Sequence, residues 1–417
     1  MHDFVRRDFS PHFGRSRTQS GSDDLWQQFV ELGTELWLDS GNFEEVQSVW
    51  TREFSALTTN NTLLNKEVQT GTYDDLVAAA AELLADFPDL TEREFMLEIA
   101  FILNATHGLR LVDQFDAYVS VEEHTDLAHD LERAGEYARR YYAICPERFY
   151  VKIPFTPAGL LATRRARREG IRVNHTLGFS ARQNYVIARV GGPDFVNVFL
   201  GRLSSFISDN GLGSGDYVGE KATLASQDAI RSLRAQGTVE TRQIGASFRS
   251  WEQFVNLAGI DVITAPPKVA RELRDRKDEL PLIESRLGRD YAPGINEDTD
   301  PEQIRLDTLW SIDDEVIDCV NALEQEDIDS FDAGGLVDFF EAHGCSDFLV
   351  RWSNSQIQTS AEEGKIPKLG NWADALADRA IGLDSLMNLA GLNNFIADQK
   401  QMDDHVREVL AKTAARP

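Results

Sequence analysis

The sequence predicts a (β/α)8 TIM barrel with an additional acidic, mostly helical C-terminal segment. Eight short runs rich in β-branched and aromatic residues recur between residues 35 and 265, with helical patterns between them. Alternation of this kind implies a parallel sheet, and eight such units favour a closed barrel over an open one. Most of these runs also end in polar or charged residues where a barrel core would take Val or Leu. In such barrels the chemistry collects at the C-terminal strand ends.

Taken in order, residues 1–24 (MHDFVRRDFSPHFGRSRTQSGSDD) lack the apolar stretch of a secretory signal and are expected to form a disordered leader. A short helix is expected over 24–32. Strands are expected at 35–39, 56–60, 118–122, 149–153, 172–176, 195–199, 241–247 and 261–265. Helical patterns at 73–87 and 92–107 fill the long gap after the second strand. Others cover 127–145, 157–169, 181–190, 224–236, 250–257 and 267–277. The stretch 278–300, which contains Pro281 and Pro293, reads as a loop over the barrel surface. The barrel domain is therefore assigned to 25–290, and 291–417 to a helical extension packed on or near it. Helices are expected there at 312–323, 335–343, 372–384 and 399–413, with Phe339, Phe340 and Trp352 as docking residues.

Composition excludes several classes. A formal charge of -27 makes nucleic acid an unsuitable partner, because phosphate-backbone binding needs a basic footprint. An anionic substrate remains compatible if a few arginines gather locally. No apolar run of bilayer-crossing length is expected. Cys145, Cys319 and Cys345 are scattered without CxxC spacing, as reduced thiols of a cytoplasmic protein are. The eight histidines form no HExxH or HxxxH cluster, so no metal is expected.

The candidate site starts from FYVKIP, a strand stopped by Pro154 in which Lys152 sits among apolar neighbours. Burial disfavours an ammonium, and an amine so held is available to attack carbonyl carbon. The other strand ends supply partners. They offer Asp39 in LWLDSGN, Asn60 in ALTTNN and Glu122 in YVSVEE. VNHTLGFS puts Asn174 and Thr176 on one face and His175 on the other. VFLGR offers Phe199 and Arg202, and IGASFR offers Ser247 and Arg249.

An amine, two carboxylates and amide or hydroxyl groups suit Schiff-base chemistry on a sugar carbonyl, with Asp39 or Glu122 as general acid/base. Two arginines and a serine suit a phosphate monoester, since the guanidinium fork binds its oxygens in pairs. The bland alternatives are an Asp39–Lys152 salt bridge without chemistry and arginines tied to surface acids. His175 reads as a hydrogen-bonded core residue. Gly211–Asp216 (GLGSGD) reads as a flexible connection, since it follows no strand directly and lacks a GK[ST] ending.

Read together and in this order, these motifs resemble the transaldolase family of class I Schiff-base enzymes, from about Leu36 to Ala265. The resemblance implies that Lys152 forms the Schiff base with a ketose phosphate and that Asp39 moves the C4 hydroxyl proton. It implies that Glu122 and Thr176 hold a proton-relaying water, and that Asn60 and Asn174 bind the dihydroxyacetone portion. Arg202, Ser247 and Arg249 would take the phosphate. Phe199 stands where transaldolases carry Phe and fructose-6-phosphate aldolases carry Tyr. No cofactor and no metal are implied. The partners are phosphorylated ketose and aldose substrates, with a homodimer left open. Two positions depart from the pattern: Asn61 replaces a proline and Asn197 a serine. The expected function is dihydroxyacetone transfer in the pentose phosphate pathway. The alternatives are a fructose-6-phosphate-aldolase-like enzyme releasing dihydroxyacetone, or a non-catalytic barrel acting as a scaffold through its acidic tail.

Overall fold

The computed structural model describes residues 1–9, 13–14 and 20–414. Eight parallel strands close into one barrel in sequence order. They are β1 (Glu35–Asp39), β2 (Phe54–Thr58), β3 (Tyr118–Glu122), β4 (Phe149–Pro154), β5 (Val173–Thr176), β6 (Phe195–Phe199), β7 (Arg242–Ala246) and β8 (Val262–Ala265). β8 pairs back onto β1, with Leu38 opposite Ala265. This is the (β/α)8 architecture, with helices outside and a helical C-terminal segment.

Period-two alternation sorts each strand. Outward residues such as Leu36, Leu38, Val119, Val151 and Ile153 are fully buried beneath the helix layer. Inward residues form stacked layers. Trp37, Tyr118, Tyr150 and Phe195 make an aromatic floor, with Trp37 4.7 Å from Phe195 and Tyr150 5.1 Å from Phe195 between ring centroids. One alternation step above that floor come Asp39 and Lys152, so the strand ends stand on an aromatic base.

Several boundaries differ from the sequence expectation. The second strand ends at Thr58, and Asn60 instead caps a helix, Asn61–Gln69, that the sequence reading did not contain. The seventh ends at Ala246, leaving Ser247 in a left-handed turn at φ 68°. A helix at Leu200–Asp209 starts directly from β6. Glu92–Phe115 runs past the expected 107 to a left-handed Asp116, and opens with a capping box between Thr91 and Glu94. By length and composition this helix could cross a bilayer, contrary to expectation, although 78% of its apolar window is buried inside the fold.

The leader expectation fails at its start. His2–Arg6 is helical, Val5 is buried, and Arg6 Nη1 donates to Ile144 O at 3.0 Å. Residues 10–12 and 15–19 lie outside the described residues. The stretch 278–300 does run over the surface. It packs so closely on the 211–216 connection that a Cβ at Gly213 would come 2.3 Å from Gly294 O. That connection is therefore a fitted turn.

The extension packs on the barrel along much of its length. Its helices Asp314–Leu323 and Ala333–Ala342 bury Val320, Leu323, Leu336 and Phe340 against the barrel helices Pro157–Arg168 and Ala181–Val190. The expected helices at 372–384 and 399–413 are instead a short helix, Ala373–Ala377, and one 32-residue helix, Leu383–Ala414. This capping helix lies across the strand ends. Asn388 Nδ2 donates to Phe155 O (3.1 Å) and Leu177 O (3.0 Å). Farther along, Asn65 Nδ2 donates to Gln401 Oε1 at 3.2 Å.

Candidate active site

β3, β4 and β5 are in register, so Glu122 lies beside Lys152 and Lys152 beside Asn174. Parallel pairing puts laterally matched residues on the same face, here the barrel interior. Lys152 Nζ is 3.7 Å from Glu122 Oε2, and both side chains are only 3% exposed. The amine donates to Thr59 O at 3.1 Å. Across the barrel, Thr58 Oγ1 donates to Asp39 Oδ1 at 2.7 Å and sits 2.8 Å from Thr264 Oγ1.

Burial raises the Asp39 carboxyl above its usual range, while the Lys152 charge and the Thr58 hydroxyl pull it back. Glu122 is raised for the same reason, opposed by Lys152 and by a backbone N–H from Asn61. Two carboxyls and one amine thus share a site poor in water. Desolvation in such a site favours the protonated form of both acids.

Asn174 is fully buried and oriented from both sides. Its Nδ2 donates to Ser120 Oγ at 3.0 Å, and its Oδ1 accepts from Asn197 Nδ2 at 2.7 Å. Asn197 also donates to His175 O at 2.8 Å. Its place is therefore behind Asn174. Thr176 is fully buried, yet its hydroxyl has no partner in the protein, as a group meant for water or substrate would. Asn60 caps the helix Asn61–Gln69 through its Oδ1, which accepts from Leu63 N at 2.9 Å, so its Nδ2 remains as a donor.

The cationic end is built by the helix Leu200–Asp209 and the turn after β7. A Cβ at Gly201 would come 2.1 Å from Ser247 O, so only glycine lets these two segments meet. Arg202 is 8% exposed and donates from Nη2 to Asn394 at 2.9 Å, while its buried Nη1 has no partner. Burial and the Arg249 charge push it down to about 10, and Asp398 and Glu122 only partly oppose them. Arg249 is exposed and borders a polar cleft of about 500 Å³ with Gly201, Ser204 and Ser250. Two guanidiniums near each other with one donor unmatched are poised for an anion.

Phe199 meets Phe179 edge-on at 5.6 Å and Phe395 of the capping helix at 6.5 Å. Phe395 also sits 6.0 Å from Lys152 Nζ and 5.6 Å from the Arg202 guanidinium. The roof is pinned where Thr62 Oγ1 donates to Asp398. The structure thus places Glu122, Lys152 and Asn174 in matched register on neighbouring strands, with Thr176 one alternation step beyond Asn174 and Asp39 facing them. Arg202, Ser247 and Arg249 form a separate flank. Sequence reading missed Phe395, Asn394 and Asp398, which belong to no motif, and the backbone of Thr59 and Asn61, which no side-chain pattern reports. His175 points outward with Nδ1 2.8 Å from Thr163 Oγ1, and burial pushes it down to about 3. Among the described residues no cluster of His, Cys, Asp and Glu has metal-site geometry.

The family described as Transaldolase/Fructose-6-phosphate aldolase matches residues 36–334. A protein named transaldolase from Xanthomonas euvesicatoria pv. vesicatoria is 27% identical over 268 residues, covering 63% of this chain and 82% of its own. One of the same name from Methylococcus capsulatus is 28% identical over 286 residues, covering 65% and 83%. Another from Thermosynechococcus vestitus is 27% identical over 293 residues, covering 68% and 72%.

Proposed function

Because the chain belongs to the transaldolase/fructose-6-phosphate aldolase family, we propose that it moves a dihydroxyacetone unit between phosphosugars through a Schiff base on Lys152. It is a transferase with transaldolase-like function. We infer sedoheptulose 7-phosphate as donor and glyceraldehyde 3-phosphate as acceptor, giving erythrose 4-phosphate and fructose 6-phosphate, a step of the pentose phosphate pathway. Three buried free thiols support a reducing, cytoplasmic setting.

The Lys152 amine adds to the ketose C2 carbonyl, and the carbinolamine loses water to leave an imine. Asp39 takes the proton of the C4 hydroxyl. The C3–C4 bond breaks, its electron pair enters the imine to give an enamine, and the shorter aldose leaves. The enamine carbon then attacks the acceptor aldehyde, and Asp39 returns its proton to the new hydroxyl. Water, held by Glu122 and Thr176, adds to the imine and frees the product. One observation carries this reading: a 3%-exposed amine, 3.7 Å from a buried carboxylate, faces a second raised carboxyl at the C-terminal strand ends. Phe199 favours transfer over free cleavage, because it offers water no hydroxyl and packs as an apolar wall.

Borohydride reduction with fructose 6-phosphate, followed by peptide mapping, tests it. The expected adduct is on Lys152 and absent from Lys152→Ala; a label elsewhere, or none, removes the reading. Little free dihydroxyacetone should appear without an acceptor, whereas rapid release would favour the aldolase. Arg249→Ala should raise KM for phosphorylated sugars by about tenfold, with little change for unphosphorylated ones. Equal losses on both would take Arg249 out of phosphate binding.

A further inference from the structure

A third cation stands near Arg202 and Arg249, and it comes from the C-terminal extension. Gly364, at φ 79°, ends the helix Asn354–Glu363, and Lys365 is the next residue. Hydrogen bonds fasten this stretch beside Arg202. Asn393 and Asn394 are neighbours on the capping helix. Asn393 Nδ2 donates to Ile357 O at 3.3 Å, while Asn394 Oδ1 accepts from Arg202 Nη2 at 2.9 Å. At the far end of the helix that carries Arg202, Asn210 Nδ2 donates to Pro367 O at 3.0 Å. Asn210 Oδ1 accepts from Leu369 N at 2.7 Å. Lys365 therefore lies on a span of chain tied at one side to the roof over Arg202 and at the other to the Arg202 helix.

No acid pairs directly with this charge. Glu363, two residues back, is taken by Lys368 N at 3.1 Å and Trp372 Nε1 at 2.9 Å. Asp398 is taken by the Thr62 hydroxyl and by Asn394 Nδ2 at 3.2 Å. Among the described residues none of Lys365, Arg202 and Arg249 forms an ion pair with an acid. Partial burial first, then the Arg249 and Arg202 charges, lower the Lys365 amine, with Asp209 and Asp398 opposing them. Like charges gathered without a bound counter-ion repel one another, and an anion between them removes that cost. In a chain of net charge -27 such a gathering reverses the global field locally.

We propose that Lys365 is a phosphate-binding residue, whose ammonium completes with Arg202 and Arg249 a three-cation site for the terminal phosphate of the sugar substrates. The proposal rests on the phosphosugar reading above. The resemblance supplies Arg202, Ser247 and Arg249, whereas Lys365 lies beyond the matched residues 36–334. It therefore adds affinity and a preference for phosphorylated over unphosphorylated sugars, and no step of the bond chemistry needs it. An ammonium on a flexible stem meets a phosphate as a point charge, beside the paired donors of the guanidiniums.

Three substitutions of this surface residue are compared in the full chain: Lys365→Ala, Lys365→Arg and Lys365→Glu. With fructose 6-phosphate as donor, Lys365→Ala should raise KM roughly fivefold and leave kcat at the parent value. Lys365→Arg should bring KM back toward the parent, and Lys365→Glu should raise it beyond Lys365→Ala. Unphosphorylated fructose should show the parent KM in all three. A parent KM for fructose 6-phosphate in Lys365→Ala, or equal increases in Lys365→Ala and Lys365→Arg, would overturn the proposal.

A second measurement needs no turnover. Inorganic phosphate is titrated calorimetrically into the parent and into Lys365→Ala. The parent should bind it roughly fivefold more tightly, with the difference shrinking as salt rises. Equal affinity, or no binding by the parent, sinks the proposal. A parent that binds phosphate more tightly than Lys365→Ala yet traps no imine with fructose 6-phosphate upholds Lys365 and places the failure in the Schiff-base reading alone.

Discussion

Glu123 illustrates how much one residue's environment matters. It follows Glu122 on the opposite face of β3, fully enclosed, and neither carboxyl oxygen has a partner. Desolvation first, then the Glu122 charge, raise its carboxyl well above the ordinary range. The folded state therefore holds a proton that the unfolded chain releases near its ordinary 4.5. Above that pH the unfolded state binds fewer protons, so stability falls as pH rises toward the folded value. Glu123→Gln should remove this slope. Its melting temperature should exceed the parent's by a few °C at pH 8, with the gap shrinking toward pH 4.5 and below. A gap independent of pH would show that ionisation is not the cause. Sequence alone could not flag Glu123, since nothing in YVSVEE distinguishes an inward acid from an outward one until register is known.

At the scale of elements, the capping helix is held by a buried ionic cluster. Arg182 Nε and Nη2 donate to Asp384 at 2.8 and 2.7 Å, and Nη1 donates to Asp347 at 3.0 Å. Ser180 Oγ donates to Asp384 at 2.7 Å, and Arg305 Nη2 to Asp347 at 3.1 Å. A buried pair replaced as a whole need not cost stability, but removing one partner leaves an uncompensated charge. Arg182→Ala should destabilise the fold by about 3–5 kcal/mol and loosen the N-terminal end of Leu383–Ala414, read by hydrogen exchange. Unchanged exchange there would mean that apolar packing holds the helix by itself. The strands of the barrel were legible because their periodicity and order are local. The helix Leu200–Asp209 was not, because GLGSGD beyond it read as one long flexible connection.

For the whole molecule, the extension is a roof and a flank of the barrel rather than a detached tail. The capping helix brings Phe395 over Lys152 and Arg202, Asn394 onto Arg202, and Asp398 onto Thr62. On the proposed mechanism, an enamine under such a lid would meet acceptor aldehyde more readily than water. Phe395→Ala should therefore raise release of free dihydroxyacetone relative to transfer by roughly tenfold, measured as product ratio with a saturating acceptor. An unchanged ratio would assign Phe395 to packing only.

The chain's own text determined the strand order and the barrel, because those follow from period-two alternation and short-range propensity, though not the exact ends of the second and seventh strands. It also singled out Lys152, Asp39 and Glu122, which the fold brings to the C-terminal strand ends. Only the tertiary structure decided what those groups meet: the 3.7 Å approach of Lys152 to Glu122, the Asn61 N–H behind that acid, and the roof from a segment more than two hundred residues away. Backbone donors carry no side-chain signature, and contacts between distant segments depend on closure of the barrel, so neither could be read before the chain was folded.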